Sequence, residues 1–131
     1  MNGKHRRRGR MRAFTLIELL IVMSILGLLL TMALPRYWRS LDRAKETVLH
    51  ENLHVLRSTL DKFYADKGRY PAELQELVAQ GYLRAVPVDP VTESAETWLL
   101  VPATDPENTG ISDVRSGALG ATTAGARYED L

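Results

Sequence analysis

The sequence contains no cysteine, which excludes a disulfide framework, thiolate-held metals and a thiol nucleophile. The absence does not fix a compartment; it requires only that an exported domain hold together without bridges. Histidine is scarce, at three residues. No glycine-rich phosphate-binding loop is present, so nucleotide hydrolysis is not expected of this chain. Acids are missing from the first 13 residues, which instead carry Lys4, Arg6, Arg7, Arg8, Arg10 and Arg12. All 16 Asp and Glu lie beyond them, and without that arm 11 basic residues face 16 acids, a net −5. The formal charge of +1 therefore hides a basic arm ahead of an acidic body. Such an arm alone reads as a nucleic-acid contact. Here it runs straight into a long apolar segment, which argues against that partner.

The apolar segment is Phe14 to Leu34, and its only ionisable residue is Glu18. As a helix it would run about 31 Å, the thickness of a bilayer's hydrocarbon core. The 131-residue chain is too small to surround such a helix with protein, so a single membrane span is expected. Pro35 should end or kink it, because proline lacks the N–H and clashes with the preceding turn. The basic arm keeps the N-terminus cytoplasmic and places the rest outside. The competing reading is a secretory signal peptide cut near Thr31-Met32-Ala33; the run is too long for it and carries an acid near its start. The Arg6-Arg7-Arg8 stretch resembles a twin-arginine signal only in part.

An ionised acid in mid-bilayer costs about 3 kcal/mol, so Glu18 should have a partner unless it sits near enough to the interface to reach water. Its surroundings read Arg12-Ala13-Phe14-Thr15-Leu16-Ile17-Glu18-Leu19-Leu20-Ile21-Val22. Basic leader, Phe-Thr-Leu-Ile-Glu, long apolar helix and proline, in that order, resemble the N-terminus of type IV pilin-like precursors. The resemblance implies that a prepilin peptidase/methylase cuts between Ala13 and Phe14 and then N-methylates Phe14. The family usually has glycine before the cut; Ala13 keeps a small side chain there, and processing is expected. Cleavage would free an ammonium on Phe14, with a reference pKa near ~8. In a staggered bundle that ammonium can pair with Glu18 of a neighbouring copy, offsetting the desolvation of both ions.

From Arg36 to about Lys67 an amphipathic helix is predicted. Leu49, Leu53, Leu56, Leu60 and Phe63 form its apolar stripe, which Tyr37, Leu41, Ala44 and Val48 extend backwards. Gly68 ends it. A short helix is predicted over 72–80, with Gly81 capping it, then an extended loop from Tyr82 to Pro90. Strands are predicted over Thr97–Val101 and Ile111–Arg115, joined by turn-rich residues 102–110. The fold class is thus α+β and pilin-like: a long N-terminal helix, a short second helix and a small antiparallel sheet. The organisation is a leader over 1–13, a transmembrane and assembly helix over 14–35, and a periplasmic domain over 36–131.

This order of elements, with the loop Gly81-Tyr82-Leu83-Arg84-Ala85-Val86-Pro87-Val88-Asp89-Pro90, resembles the protein G pseudopilins of type II secretion. The lack of cysteine suits a pseudopilin better than an adhesive pilin, which often closes its C-terminal loop with a disulfide. The resemblance implies a structural subunit, not an enzyme, anchored once in the bacterial inner membrane. Its partners would be further copies, minor pseudopilins, the peptidase and an inner-membrane assembly platform; a type IV pilin or minor pilin for adhesion, motility or DNA uptake is the alternative.

Two metal readings remain. His50-Glu51-Asn52-Leu53-His54 matches the zinc-peptidase pattern H-E-x-x-H, with both histidines on one helix side. A catalytic zinc needs a third protein ligand and a cleft, and a solvated face continuing through Arg57 and Asp61 explains the residues without metal. The resemblance also implies calcium in the C-terminal segment, where Asp113, Glu129 and Asp130 are the available acids. Calcium takes six to eight oxygens, usually with several carboxylates, and the segment 116–131 is poor in them. Hydrogen bonding and packing of Tyr128 are expected to hold it instead.

Overall fold

The computed structural model describes residues 13–131. Its elements are α1 (Leu16–Lys67), α2 (Leu74–Ala79), β1 (Leu99–Pro102), β2 (Ile111–Arg115) and a 3-10 turn at Tyr128–Asp130. The leader falls almost wholly outside the described residues. The chain divides into two compact units, the first ending at Tyr37 and the second running from Trp38 to Leu131.

The first unit is the apolar part of α1. Thr15 starts the helix: its Oγ1 accepts the Glu18 backbone N–H at 3.3 Å, and its carbonyl accepts that of Leu19 at 3.2 Å. Pro35 lies inside α1 and does not end it. Proline leaves the Thr31 carbonyl without its helical donor, a loss the uninterrupted helical residues on both sides outweigh. Two hydroxyls turn back onto the helix, Ser24 to the Leu20 carbonyl and Thr31 to that of Leu28. This satisfies polar groups that lipid would leave unpaired.

The second unit is built on the leucine stripe. Leu49, Leu53, Leu56, Leu60 and Phe63 are buried together with Leu74, Leu77, Trp98, Ile111, Val114, Ala118 and Tyr128. The backward extension of the stripe is corrected, because Leu41 and Val48 are exposed; the small domain's core begins at Leu49. Gly68 closes α1 at φ +70°, its N–H reaching the Tyr64 carbonyl.

The second helix is shorter than the sequence predicts. Its C-terminus is the expected cap: Gly81 at φ +79°, Gly81 N–H to the Val78 carbonyl, and Tyr82 N–H to that of Leu77. This pair of bonds is a Schellman closure. At the other end Glu76 accepts the Ala72 N–H and pairs with Arg69 at 2.5 Å. Those contacts, the Arg69 hydrogen bond first, hold the Glu76 carboxyl below its ordinary range.

The β1–β2 pair is antiparallel, with Leu99 opposite Arg115 and Val101 opposite Asp113. The second strand has the predicted bounds; the first begins two residues later. Thr97 and Trp98 are engaged elsewhere, Thr97 Oγ1 with Thr92 Oγ1 at 2.5 Å and Trp98 Nε1 with the Pro87 carbonyl at 2.8 Å. The register breaks between Val101 and Pro102, where proline has no N–H for the ladder.

Candidate assembly site

Ala13, Phe14 and Thr15 precede the helix in irregular, exposed backbone, which leaves the predicted scissile bond between Ala13 and Phe14 outside helical hydrogen bonding. Thr15-Leu16-Ile17-Glu18 has the spacing of a capping box, in which the hydroxyl takes one orphan N–H and the acid reaches back for another. Only the threonine half is made here. The Glu18 carboxylate has no partner among the described residues, so it stays available for one from another chain. That box was readable in the sequence and was missed there.

Around Glu18 the helix is apolar on every side. Phe14 is 84% and Leu16 89% exposed, and the large apolar residues through Leu34 are all exposed. The most apolar stretch of α1 is wholly unburied, and this helix is long and apolar enough to cross a membrane. A surface of this extent on a folded chain is an interaction surface.

The C-terminal segment is tied to α1 at two points. Glu46 accepts the Thr123 backbone N–H at 2.6 Å, its Oγ1–H at 2.8 Å, and the Tyr128 hydroxyl at 3.5 Å. Arg57 donates from Nε to Asp113 Oδ1 at 2.8 Å, and from Nη2 to the Val114 carbonyl at 3.0 Å and the Leu131 backbone oxygen at 2.8 Å. Burial of Tyr128, followed by the nearby Glu46 and Asp42 charges, raises its phenol above the ordinary range. A third tie is Asp89, which is wholly buried. Its Oδ1 accepts the N–H groups of Val91 and Thr92, and its Oδ2 accepts the Ser116 hydroxyl at 2.6 Å. Gly117 completes this closure, since a Cβ there would stand 1.9 Å from the Thr97 carbonyl oxygen.

The acids considered for calcium do not converge. Asp113 Oδ1 is already engaged by Arg57 and by the Val114 N–H, and Glu129 is paired with Arg127. Among the described residues no three His, Asp or Glu side chains form a metal-holding group. The side chains of these acids alone do not supply the six to eight oxygens that calcium takes. His50, Glu51 and His54 are exposed on α1, and among the described residues no metal-holding group of three completes the zinc-peptidase pattern.

Comparison with known proteins bears on both regions. Residues 8–34 match the prokaryotic N-terminal methylation motif. The chain is 32% identical over 99 residues to the type II secretion system core protein G of Pseudomonas aeruginosa, covering 63% of this chain and 70% of that protein. It is 31% identical over 100 residues to the core protein G of Klebsiella michiganensis, covering 64% and 70%. It is also 39% identical over 61 residues to the type IV major pilin protein PilA of Myxococcus xanthus, covering 47% and 28%. No solved structure matches the chain.

Proposed function

The chain belongs to the type II secretion system core protein G family, and on that premise we propose that it is a structural subunit of a secretion pseudopilus. The precursor is inserted once in the inner membrane with its N-terminus cytoplasmic and its second unit periplasmic. It is cut between Ala13 and Phe14, N-methylated on Phe14, and polymerised through the apolar part of α1. Copies of this chain, minor pseudopilins and an inner-membrane platform are its partners, and an assembly ATPase elsewhere supplies the energy. Filament growth would push folded proteins toward an outer-membrane channel.

The observation that carries this reading is Glu18, the one acid of an apolar helix, with its carboxylate unpartnered among the described residues. In low dielectric a lone carboxylate is costly, and an oppositely charged neighbour offsets that cost. The new ammonium of Phe14 from an adjoining copy is the charge that cleavage supplies. A paired acid of this kind also fixes register, as buried polar groups do in coiled coils. The test is Glu18→Ala, with cross-linking of intact cells. The variant should remain in the membrane and lose the ladder of cross-linked multimers. A ladder equal to wild type would refute the role given to Glu18.

A type IV pilin is the second reading, favoured by the match to a type IV major pilin over 61 residues. The protein G matches reach farther, over 63–64% of this chain against 47%, which supports the secretion role. Deleting the gene and assaying secretion beside twitching and DNA uptake separates the two.

A further inference from the structure

The histidines of α1 have no part in the assembly reading. His50 and His54 are both exposed, and neither imidazole has a partner among the described residues. Four residues apart on a helix, they lie one turn from each other on one face, with Cβ atoms about 5–6 Å apart. Two imidazoles at this spacing can close on a single metal ion from one side.

The same row of α1 is held on either side of the pair. Glu46, four residues before His50, is engaged by Thr123 and Tyr128. Arg57, three residues after His54, is engaged by Asp113, Val114 and Leu131. The charges that flank the pair along the row, Glu46 and Arg57, are therefore already committed and brace the helix between them, while Glu51, three residues before His54, is exposed. Bracing fixes the backbone that carries the two imidazoles, so that only their side-chain rotamers need ordering on chelation.

We propose that His50 and His54 form a two-imidazole site for a borderline divalent transition metal, copper(II), zinc or nickel. Imidazole nitrogen suits these ions, whereas calcium and magnesium prefer oxygen. The chain supplies two ligands, so the remaining coordination positions are open to water or to a side chain of a second copy. With no third protein ligand the site is a binding site and not a hydrolytic centre. Every copy in an assembly would present it at the same place.

The test uses the untagged full chain in detergent micelles, with His5→Gln in every arm so that His50 and His54 are the sole histidines. Copper(II) is titrated and followed by electron paramagnetic resonance. The expected spectrum carries superhyperfine coupling from two nitrogens at one ion per chain, and calcium does not displace the ion. His50→Gln and His54→Gln should each weaken binding at least ~10-fold, the lower end of what loss of even an outer-shell partner costs. Glu51→Gln should bind as the parent does. Because both histidines are exposed, circular dichroism should report unchanged folding. Unweakened binding in either histidine variant, one-nitrogen coupling, displacement by calcium, or loss of binding in Glu51→Gln would overturn the assignment.

Discussion

Glu46 and Thr123, 77 positions apart in the chain, meet through two hydrogen bonds, one carboxylate oxygen taking the backbone N–H and the other the hydroxyl. One side chain of α1 thereby orders a turn in a segment rich in Gly, Ala and Thr, which has few apolar residues of its own to bury. The family resemblance implies calcium in this region. In this chain Glu46 and Arg57 of α1 hydrogen-bond the same region.

Glu46→Gln should therefore loosen the turn without unfolding the domain. Hydrogen bonds to a charged acceptor are worth about 1.5–3 kcal/mol, and exposure of Thr123 reduces that to about 1 kcal/mol. Amide hydrogen exchange should quicken at residues 122–126 and stay slow at Leu56 and Leu60. Calcium should leave the melting temperature of the parent protein unchanged; a calcium-dependent rise would show that metal closes the segment.

Arg57→Ala should cost more than Asp113→Ala. The ion pair is more than a third exposed on both sides, so a double-mutant cycle should give a coupling of only about 0.5–1 kcal/mol. Arg57 also serves the Val114 and Leu131 oxygens, and losing those bonds brings its own cost to about 2 kcal/mol. Chemical denaturation of the two single variants and the double variant checks both figures.

Gly117→Ala should be among the most damaging small substitutions, by about 3 kcal/mol. The obstacle is the Thr97 carbonyl, which is backbone and cannot swing aside as a flexible side chain would. Expression and thermal melting of the variant test this; a melting temperature equal to the parent's would mean that the two segments separate easily.

Tyr128 sets an alkaline limit. Its folded pKa is raised, first by burial and then by the Glu46 charge. The unfolded chain gives up the phenol proton near pH ~10, before the folded chain does. Stability is therefore full below that pH and falls as pH climbs through the folded value. Tyr128→Phe should flatten this part of the stability–pH curve measured by urea unfolding.

Elements set by local pattern could be read from the sequence. The leucine stripe from Leu49 to Phe63 follows helical spacing and is buried throughout; the Gly68 and Gly81 caps and the bounds of β2 follow from local chemistry. Bonds between distant residues could not be read. Arg57 and Asp113 are 56 positions apart and Asp89 and Ser116 are 27 apart, and nothing in their neighbouring residues indicates the pairing. Asp113 is a strand residue, and its neighbours in the sequence give no sign of the arginine that faces it. Val48 resembled core because periodicity does not reveal where a small domain's cover begins. Glu18 was legible because a single acid in an apolar run stands out without any tertiary information.

Assembly through Glu18 depends on a free, positively charged Phe14 at the head of the apolar helix. Intact-mass spectrometry of the chain purified from its own bacterial membrane tests this directly. The expected species begins at Phe14, carries one added methyl group and lacks the basic leader. A mature chain that keeps Met1 through Ala13, or one that begins near Leu34, would leave Glu18 without its partner and contradict the account.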